Sequence, residues 1–429
     1  MTTSITTKDK RYDEMFQVEN ETKTFGMQMI DDPYPAFKKM LAKGPVLKGT
    51  LSECMGLGPE FSGHMYAPGN FDYYTAVSFN AVNDVFMDNV TYSSEFYIEQ
   101  MHTHEFLGDT ILSMGGDRHR AYRDLIQAHF QPGFAMSWWG EKVIKGPVEE
   151  LISSIEGKGK ADLNADFFAR LPMHVVTAGF GLSPDQGLNF RHHMQTFGTP
   201  TTPDAEKKVA MTEALGILNE VIDARSKEPK DDIISRLTQS KLKEADGSTR
   251  LMTRQEVIDF CRLIVFAGGG TTWRQLGITT FALMNNPDQL NAVKADRSLI
   301  PNAILEAARW HPTDPLFPRK VTKDTVLQGV EIPKGSAIHL SLGSANRDPS
   351  RWEDPDKFDV KRTMQRSMAF GTGAHSCLGQ HVARQEFVMA LNAIFDRLPN
   401  VRWDPSKPAP KILGGLMGRG PGPLHVVFD

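Results

Sequence analysis

A cysteine at the start of a helix is the residue of this chain with the clearest chemical potential. Cys377 lies in the segment FGTGAHSCLG (370–379), whose glycines predict a tight loop that leads into a helix. The unpaired N–H groups and the dipole at a helix N-terminus favour a thiolate over a thiol. A thiolate can bind haem iron from one side and push electron density toward O–O cleavage. A cysteine nucleophile is the alternative, because His375 lies two residues away and could serve as its base.

Three glycines inside a long helix are the second unusual feature. Residues 253–284 have helical periodicity, and a capping box of Thr253 and Glu256 predicts where the helix begins. Each glycine of the run 268–270 costs about 1 kcal/mol relative to alanine in a helix interior. Glycines permit a kink or the close approach of another group, and the hydroxyls of the threonines that follow can bond a carbonyl or a ligand. Close helix–helix packing is the alternative explanation, and a phosphate cradle is disfavoured because no lysine follows the glycines.

The hydrophobic pattern predicts a fold that is mainly α with small β-sheets. Residues 72–90 predict a short strand followed by a helix. Residues 50–70 predict a long irregular segment, and residues 345–359 predict an ordered coil. No internal repeat and no long linker divides the chain, so we expect a single large domain. The predicted helices span residues 118–129, 138–155, 163–179, 207–227, 253–284, 301–310 and 379–398. The strand-like runs span residues 326–332, 337–342 and 424–427.

The composition narrows the class of protein. The chain has 429 residues and a formal net charge of −4, which makes nucleic acid a poor candidate partner. Its three cysteines, Cys54, Cys261 and Cys377, favour reduced thiols in the cytoplasm over a disulfide framework. We expect the first two to be core residues. The polar first residues do not resemble a signal peptide, and no run of about 18 apolar residues predicts a membrane span.

The cysteine loop resembles the haem-binding signature of the cytochrome P450 family, F-x-x-G-x-x-x-C-x-G. Phe370, Gly373, Cys377 and Gly379 stand at the matching positions. The signature is specific, and further motifs in the family's order extend the resemblance from about residue 85 to the end of the chain. The resemblance implies that Cys377 is the proximal thiolate ligand of the iron in haem b (iron protoporphyrin IX) and that Phe370 shields its sulfur.

The resemblance also implies how the chain is arranged. A single catalytic domain would occupy residues 1–429, with a β-containing lobe at about 30–85 and a helical haem lobe at about 86–429. The long central helix would cross over the haem.

Three other segments support the resemblance. Residues 267–272 resemble the family's oxygen-binding helix, A-G-x-[acid]-T-T, and HRAYR (119–123) resembles the early helix whose His and Arg contact the haem propionates. EAAR (306–309) matches the E-x-x-R motif, whose two charged residues share one helix face and can pair. The haem contacts implied are His119, Arg123, Ala267, Arg319, Phe370, Gly371, His375, Cys377 and Gly379. The structural residues implied are Glu306, Arg309 and, as a third basic partner of this pair, Lys357.

The activity that the resemblance implies is that of a haem-thiolate monooxygenase, which inserts one oxygen atom of O2 into a C–H bond. Thr271, followed by Thr272, would hydrogen-bond dioxygen and relay protons. Gly270 departs from the family, which usually has Asp or Glu there. A peroxide-driven peroxygenase therefore stays open, although the retained Thr271 favours the use of O2. A non-catalytic haem-binding sensor or carrier is the alternative of another class.

Electrons are expected from separate proteins. No G-x-G-x-x-G follows a strand, so no nicotinamide or flavin domain is predicted in the chain. With no predicted membrane anchor, the chain resembles soluble bacterial members of the family, which a ferredoxin and its reductase serve. Four arginines near the haem motifs predict a basic docking patch for an acidic ferredoxin. They are Arg118, Arg120, Arg366 and Arg384.

Residues at the family's substrate-contacting places predict an apolar pocket. Few charges occur there, which favours a neutral terpenoid, steroid or alkylaromatic substrate over a fatty acid held by arginine. The HTH motif at 102–104 and the histidine pair at 192–193 lack partners at metal-ligand spacing, so we interpret them as loop and surface residues. The pocket residues are Phe96, Tyr97, Phe106, Leu107, Val176, Phe180, Leu263, Phe266, Leu316, Phe317, Leu416 and Met417.

Overall fold

Helices dominate the fold, and the predicted class, mainly α with small β-sheets, is confirmed. The computed structural model describes residues 5, 10–24, 26–63, 69, 71–99, 103–199 and 201–429. The α-helices of this part are α1 (Lys10–Met15), α2 (Val18–Thr24), α3 (Tyr34–Lys43), α4 (Leu51–Met55), α5 (Phe79–Met87), α6 (Phe96–Glu99), α7 (Thr103–Leu107), α8 (Gly116–Gln127), α9 (Pro132–Phe134), α10 (Lys145–Ile155), α11 (Leu171–Gly179), α12 (Pro184–Gly198), α13 (Asp204–Lys227), α14 (Ile233–Thr238), α15 (Arg254–Met284), α16 (Pro287–Ala295), α17 (Ile300–Trp310), α18 (Leu342–Ala345) and α19 (Gln380–Arg397). The 3₁₀-helices are Pro59–Phe61, Arg297–Leu299 and Gly373–His375, and the π-helices are Ala135–Ile144 and Asn164–Phe168.

The strands are short and form several small sheets. They are β1 (Val46–Lys48), β2 (Tyr73–Ala76), β3 (Tyr92–Ser93), β4 (Lys160–Asp162), β5 (Lys241–Lys243), β6 (Thr249–Leu251), β7 (Leu316–Val321), β8 (Thr325–Leu327), β9 (Val330–Ile332), β10 (Ala337–Ser341), β11 (Arg402–Trp403), β12 (Ile412–Leu413), β13 (Gly420–Pro421) and β14 (His425–Val427). The largest sheet has five strands in the order β1-β2-β10-β7-β3. A three-stranded sheet, β11-β14-β4, joins the end of the chain to the segment just before the π-helix that precedes α11. The strand pairs β5-β6, β8-β9 and β12-β13 form two-stranded sheets.

The five-stranded sheet joins strands from both of the predicted lobes. Strand β10 pairs in parallel with β2, so that Ile338 lies opposite Tyr74. On its other side β10 pairs with β7 in antiparallel register, with Ile338 opposite Arg319. The β-containing lobe is therefore not confined to residues 30–85, because two of its central strands come from the segment after α17. This pairing also places Arg319 on a buried strand next to α5 and α6.

Helix α15 is the central element of the helical part. It begins at Arg254, directly after the predicted cap, where Thr253 accepts a hydrogen bond from the backbone N–H of Glu256 and the reciprocal bond completes the capping box. It then runs as one α-helix to Met284, and none of its glycines has a positive φ. Most of its side chains are buried in the main apolar core, which also includes α10, α11, α17 and α19.

Four predicted segments differ from the observed elements for local reasons. The run 326–332 is a hairpin and not one strand, because Gln328 and Gly329 have φ of 49° and 84° and turn the chain. Inside the predicted irregular segment 50–70, a capping box of Thr50 and Glu53 starts α4, while residues 64–68 and 70 lie outside the described part. The predicted helices at 138–155 and 163–179 both begin as π-helical turns before they become α-helical.

Within the described residues, no helix is long and apolar enough to cross a membrane.

Candidate active site

The cysteine loop is held between α5 and the start of α19. Gly371 and Gly373 have φ of +64° and +71°, a conformation that glycine adopts without strain. A Cβ atom at Gly373 would lie 2.4 Å from the carbonyl oxygen of Phe86, so a larger residue there would push α5 away. The backbone N–H of Cys377 donates to the carbonyl of Phe370 at 2.8 Å and closes the loop. These contacts fix Cys377 just before the first turn of α19.

The sulfur of Cys377 is accessible and yet surrounded by protein. Cys377 is exposed, whereas Cys54 is half-buried and Cys261 is buried. Desolvation by the surrounding atoms nevertheless raises the pKa of the Cys377 thiol, against the lowering effect of two backbone N–H groups at the start of α19 and of the Arg123 charge. A ligand can therefore reach Cys377 from the surface of the protein, although neighbouring atoms desolvate its thiol.

The middle of α15 carries an accessible turn in an otherwise buried helix. Ala267 is exposed, and Gly268 and Thr271 are half-buried. The hydroxyl Oγ1 of Thr271 donates to the carbonyl of Ala267 at 2.8 Å. A Cβ atom at Gly268 would lie 3.2 Å from Cγ2 of Val176, so this glycine lets α11 pack closely against α15. Close packing, one of the two explanations for the glycines, therefore applies to Gly268, while Ala267 and Thr271 keep accessible surface and Gly269 and Gly270 are buried.

A cluster of hydrogen-bond donors lies beside the cysteine loop. The ring centroids of His119 and His375 are 4.1 Å apart, and Ser94 Oγ is 3.2 Å from Nε2 of His375. Burial, together with the charges of Arg123 and Arg319, lowers the pKa of His119 to about 4 and that of His375 to about 2. Nε2 of His119 is buried without a hydrogen-bond partner, and among the described ion pairs neither arginine has a carboxylate. Two cations and an unmatched buried ring nitrogen are suited to a bound anion.

The pair Glu306 and Arg309 is fully buried, and both of its side chains are 0% exposed. Arg309 donates to the two carboxylate oxygens of Glu306 at 2.7 and 2.8 Å. The third basic side chain is Arg362, whose Nε donates to Glu306 at 3.0 Å, and not Lys357 as predicted. The Lys357 side chain is exposed, and this residue contributes its backbone carbonyl instead, which accepts from both arginines at 3.0 Å. The basic side chain that reaches Glu306 therefore belongs to Arg362, five residues after Lys357 in the chain.

Comparison with known proteins identifies the family. A family model for cytochrome P450 matches residues 186–424. Mycinamicin IV hydroxylase/epoxidase of Micromonospora griseorubida is 31% identical over 328 residues, which cover 76% of this chain and 81% of that protein. The chain belongs to the cytochrome P450 family.

Other P450 proteins agree in sequence and fold. Pulcherriminic acid synthase of Bacillus subtilis is 30% identical over 339 residues, which cover 75% of this chain and 82% of that protein. The crystal structure of CYP109E1 from Bacillus megaterium in complex with corticosterone aligns with a TM-score of 0.74 over 92% of this chain and 98% of that chain, at 24% identity. The last similarity concerns the fold, and the named relatives show that this chain is a P450 monooxygenase, a class that uses O2 and a redox partner.

Haem b is the cofactor of the P450 family, and the residues of this site fit it. Cys377 would be its iron ligand, because it is exposed, unlike Cys54 and Cys261, and is fixed in the loop before α19. The cluster around His119 and His375 would hold the propionate carboxylates, since it combines an unpartnered ring nitrogen with the charges of Arg123 and Arg319. When bound, a haem with a thiolate ligand supplies the activation of O2. The roles of the individual residues remain predictions.

The predicted pocket residues fall into a half-buried group and a buried group. Phe106 and Phe266 are half-buried next to the accessible turn of α15, and their rings meet edge to face at 4.9 Å. Phe197 was not predicted, and it stacks on Phe106 at 5.9 Å. Phe317 and Met417 are also half-buried. The remaining pocket residues are buried; they are Phe96, Tyr97, Leu107, Val176, Phe180, Leu263, Leu316 and Leu416.

Two of the buried pocket residues pack away from α15. Leu316 and Leu416 lie in an apolar cluster with Phe37 and Met40 of α3. Near the accessible turn, only half-buried side chains have free surface for a substrate. The aromatic set Phe106, Phe197 and Phe266 is therefore the strongest candidate for substrate contact.

The other histidine motifs lie on α7 and α12. The described residues contain no group of three or more His, Cys, Asp or Glu that could hold a metal ion. The rings of His192 and His193 lie 5.8 Å apart on α12. His104 is exposed on α7, and position 102 lies outside the described residues.

Several residues of the site carry no local signal in the sequence. Ser94, Phe197 and Arg362 reach their partners from distant segments, and serine, phenylalanine and arginine are common at unrelated positions. Arg362 could have been anticipated only as one of several basic residues after Pro355. Gly270 and Thr272, which were predicted to act with Thr271, are both buried.

Proposed function

We propose that this P450 inserts one oxygen atom of O2 into a C–H bond of a neutral hydrophobic substrate, with electrons from a separate ferredoxin and its reductase. The observation that carries the proposal is the aromatic set Phe106, Phe197 and Phe266 beside the accessible turn of α15. Aromatic rings offer apolar surface and no charge to the substrate. Terpenoids, steroids and alkylaromatic compounds fit such a surface better than a carboxylate does.

Thr271 would handle protons in this reaction. A threonine hydroxyl has one donor hydrogen and two acceptor lone pairs. The hydrogen of Thr271 Oγ1 is directed to the carbonyl of Ala267, so its oxygen is available to accept a hydrogen bond from a water at the accessible turn. The hydroxyl can pass its own proton on when it accepts another.

A substrate panel tests the proposed chemistry. Testosterone, limonene and butylbenzene should shift the spin state of the ferric protein, and at least one of them should be hydroxylated. Palmitate should bind more weakly, because the aromatic set carries no charge that would hold its carboxylate. Palmitate as the tightest ligand and best substrate would contradict the proposal of a neutral substrate.

A peroxide-driven reaction is the second candidate, because Gly270 replaces the acid that the family usually has. We expect product with ferredoxin, reductase and NADPH, and slower turnover with H2O2 alone, because Thr271 is retained. Catalase is the matched control: it should leave the NADPH-driven product unchanged and abolish the peroxide-driven product. Turnover with H2O2 only would refute the O2-dependent proposal in favour of a peroxygenase.

The predicted docking arginines differ in how freely they can meet a partner. Arg118 and Arg120 are exposed and paired with Asp109 at 3.1 Å and Asp117 at 3.5 Å, respectively. Arg366 is exposed and donates to Thr372 Oγ1 at 2.7 Å, while Arg384 is half-buried. An acidic ferredoxin would compete with the exposed aspartates for the first two arginines and meet Arg366 directly.

Reversing one charge tests the docking patch. Arg120→Glu should raise the apparent KM for ferredoxin about three- to ten-fold at low ionic strength, with kcat little changed, because the charge acts mainly on encounter. Added salt should shrink the difference. Arg402→Glu is the matched control, since Arg402 is also exposed and paired with an exposed aspartate, Asp429, at 3.1 Å. Equal KM values for the two variants would place the docking surface elsewhere.

A further inference from the structure

A buried arginine contacts the central helix at the glycine run. Arg191 lies on α12 and is 7% exposed. Its Nη1 donates to the carbonyls of Val265 at 3.1 Å and Phe266 at 3.3 Å. Its Nε is buried without a partner, and in the described part of the chain no carboxylate forms an ion pair with it. Burial lowers its pKa to about 10, so the side chain stays charged at neutral pH. A buried cation that has only carbonyl partners destabilises the fold, so its presence calls for another explanation.

The glycines of α15 provide the space that this guanidinium occupies. A Cβ atom at Gly269 would lie 3.5 Å from Nη1 of Arg191. At Gly270 it would lie 3.4 Å from Nη2 of Arg191 and 3.1 Å from Nη1 of Arg274, a second buried arginine. Position 270 therefore faces two guanidinium groups and carries no carboxylate that could pair with them.

Arg191 and Thr271 together act on three consecutive carbonyls. In an α-helix, the carbonyls of Val265 and Phe266 accept from the backbone N–H groups four residues later. Each oxygen has a second lone pair, which Arg191 takes. The hydroxyl of Thr271 takes the next carbonyl, that of Ala267. Side-chain donors thus hydrogen-bond to the carbonyls of Val265, Phe266 and Ala267, which lie in the turn before Thr271.

We propose that Arg191 is a positioning residue for the use of O2, and that it orders the turn from Val265 to Ala267 so that Thr271 keeps its hydroxyl in place without an acid at position 270. This role rests on the proposed O2-dependent function. Loss of the guanidinium would free two carbonyls and loosen the turn. Electrons from ferredoxin would then leave as hydrogen peroxide, with one O2 consuming two electrons and two protons, instead of producing hydroxylated substrate.

Matched variants test the role of Arg191. Arg191→Gln removes the charge and two of the three donor nitrogens, and Arg191→Lys keeps the charge. Arg225→Gln is the control, because Arg225 is a half-buried arginine that donates to the carbonyl of Gly181 at 3.0 Å and pairs with Asp232, with no hydrogen bond to α15 among the described residues. For each variant, the fraction of NADPH electrons recovered as H2O2 is measured at saturating ferredoxin. Hydrogen exchange of the amides at 265–275 is measured separately in the ferric protein without electron donors.

We expect Arg191→Gln to raise the H2O2 fraction about five-fold and to speed exchange at 269–271, with Arg191→Lys in between and Arg225→Gln like the wild type in both measurements. An H2O2 fraction or an exchange rate in Arg191→Gln equal to that of Arg225→Gln would overturn the role. A wild-type protein that consumes no NADPH with ferredoxin would overturn the proposed function itself. Coupled turnover by Arg191→Gln, in contrast, would overturn only the inference about this arginine.

Discussion

The Cys377→Ser variant will lack the strongly red-shifted Soret band that the dithionite-reduced wild-type protein will show under CO. A serine hydroxyl does not supply a thiolate, and the thiolate ligand gives this class its spectrum and its capacity to cleave O2. We expect product formation to fall by more than the roughly 10- to 100-fold that the loss of an outer partner of a metal ligand causes. The absorption spectrum of purified protein, reduced under CO, measures the first effect directly.

The other two cysteines provide the controls for this variant. Cys54 is half-buried and Cys261 is buried, and desolvation raises the pKa of both thiols. Neither lies in a glycine loop before a helix, so Cys54→Ser and Cys261→Ala should keep the red-shifted band. A red-shifted band that persists in Cys377→Ser would show that another group is the ligand. A colourless wild-type protein that cannot be reconstituted with haem would instead revive the cysteine nucleophile.

Local features of the chain were predictable because local chemistry determines them. The capping box at Thr253 predicts the start of α15 to within one residue. The glycines at 371 and 373 predict a tight loop, and both adopt the positive φ that such a loop requires. In each case neighbouring residues in the sequence supply the hydrogen bond or the backbone freedom that forms the element.

Contacts between distant segments were not predictable in the same way. Lys357 stands at the expected distance along the chain from Glu306, yet Arg362 makes the ion pair, because the coil turns back and leaves Lys357 exposed. Gly270 showed that an acid is absent, but not that a guanidinium from α12 occupies its place. Sequence spacing specifies such partners only when a regular helix or strand connects them.

Conversion of Glu306 to Gln will cause the largest loss of stability among the variants considered. The carboxylate is 0% exposed and compensates two guanidinium groups, those of Arg309 and Arg362. The isosteric amide leaves both cations without an anion in the interior, which typically costs about 3–5 kcal/mol. We expect a lower urea midpoint and less haem recovered per chain, because the coil that Arg309 holds through the carbonyls of Asn346 and Pro355 precedes the cysteine loop.

Two further variants distinguish the contribution of the Arg362–Glu306 ion pair to stability from that of the hydrogen bonds to the Lys357 carbonyl. Arg362→Ala removes one ion pair but leaves the fully buried pair intact, so its loss should be smaller, at about 1–3 kcal/mol. Lys357→Ala keeps the backbone carbonyl that accepts from both arginines and truncates only an exposed side chain, so it should change stability by less than about 0.5 kcal/mol. If Glu306→Gln unfolds at the same urea concentration as Lys357→Ala, the carboxylate does not hold this region together. If Lys357→Ala is instead as destabilising as Arg362→Ala, the lysine side chain is the third basic partner after all.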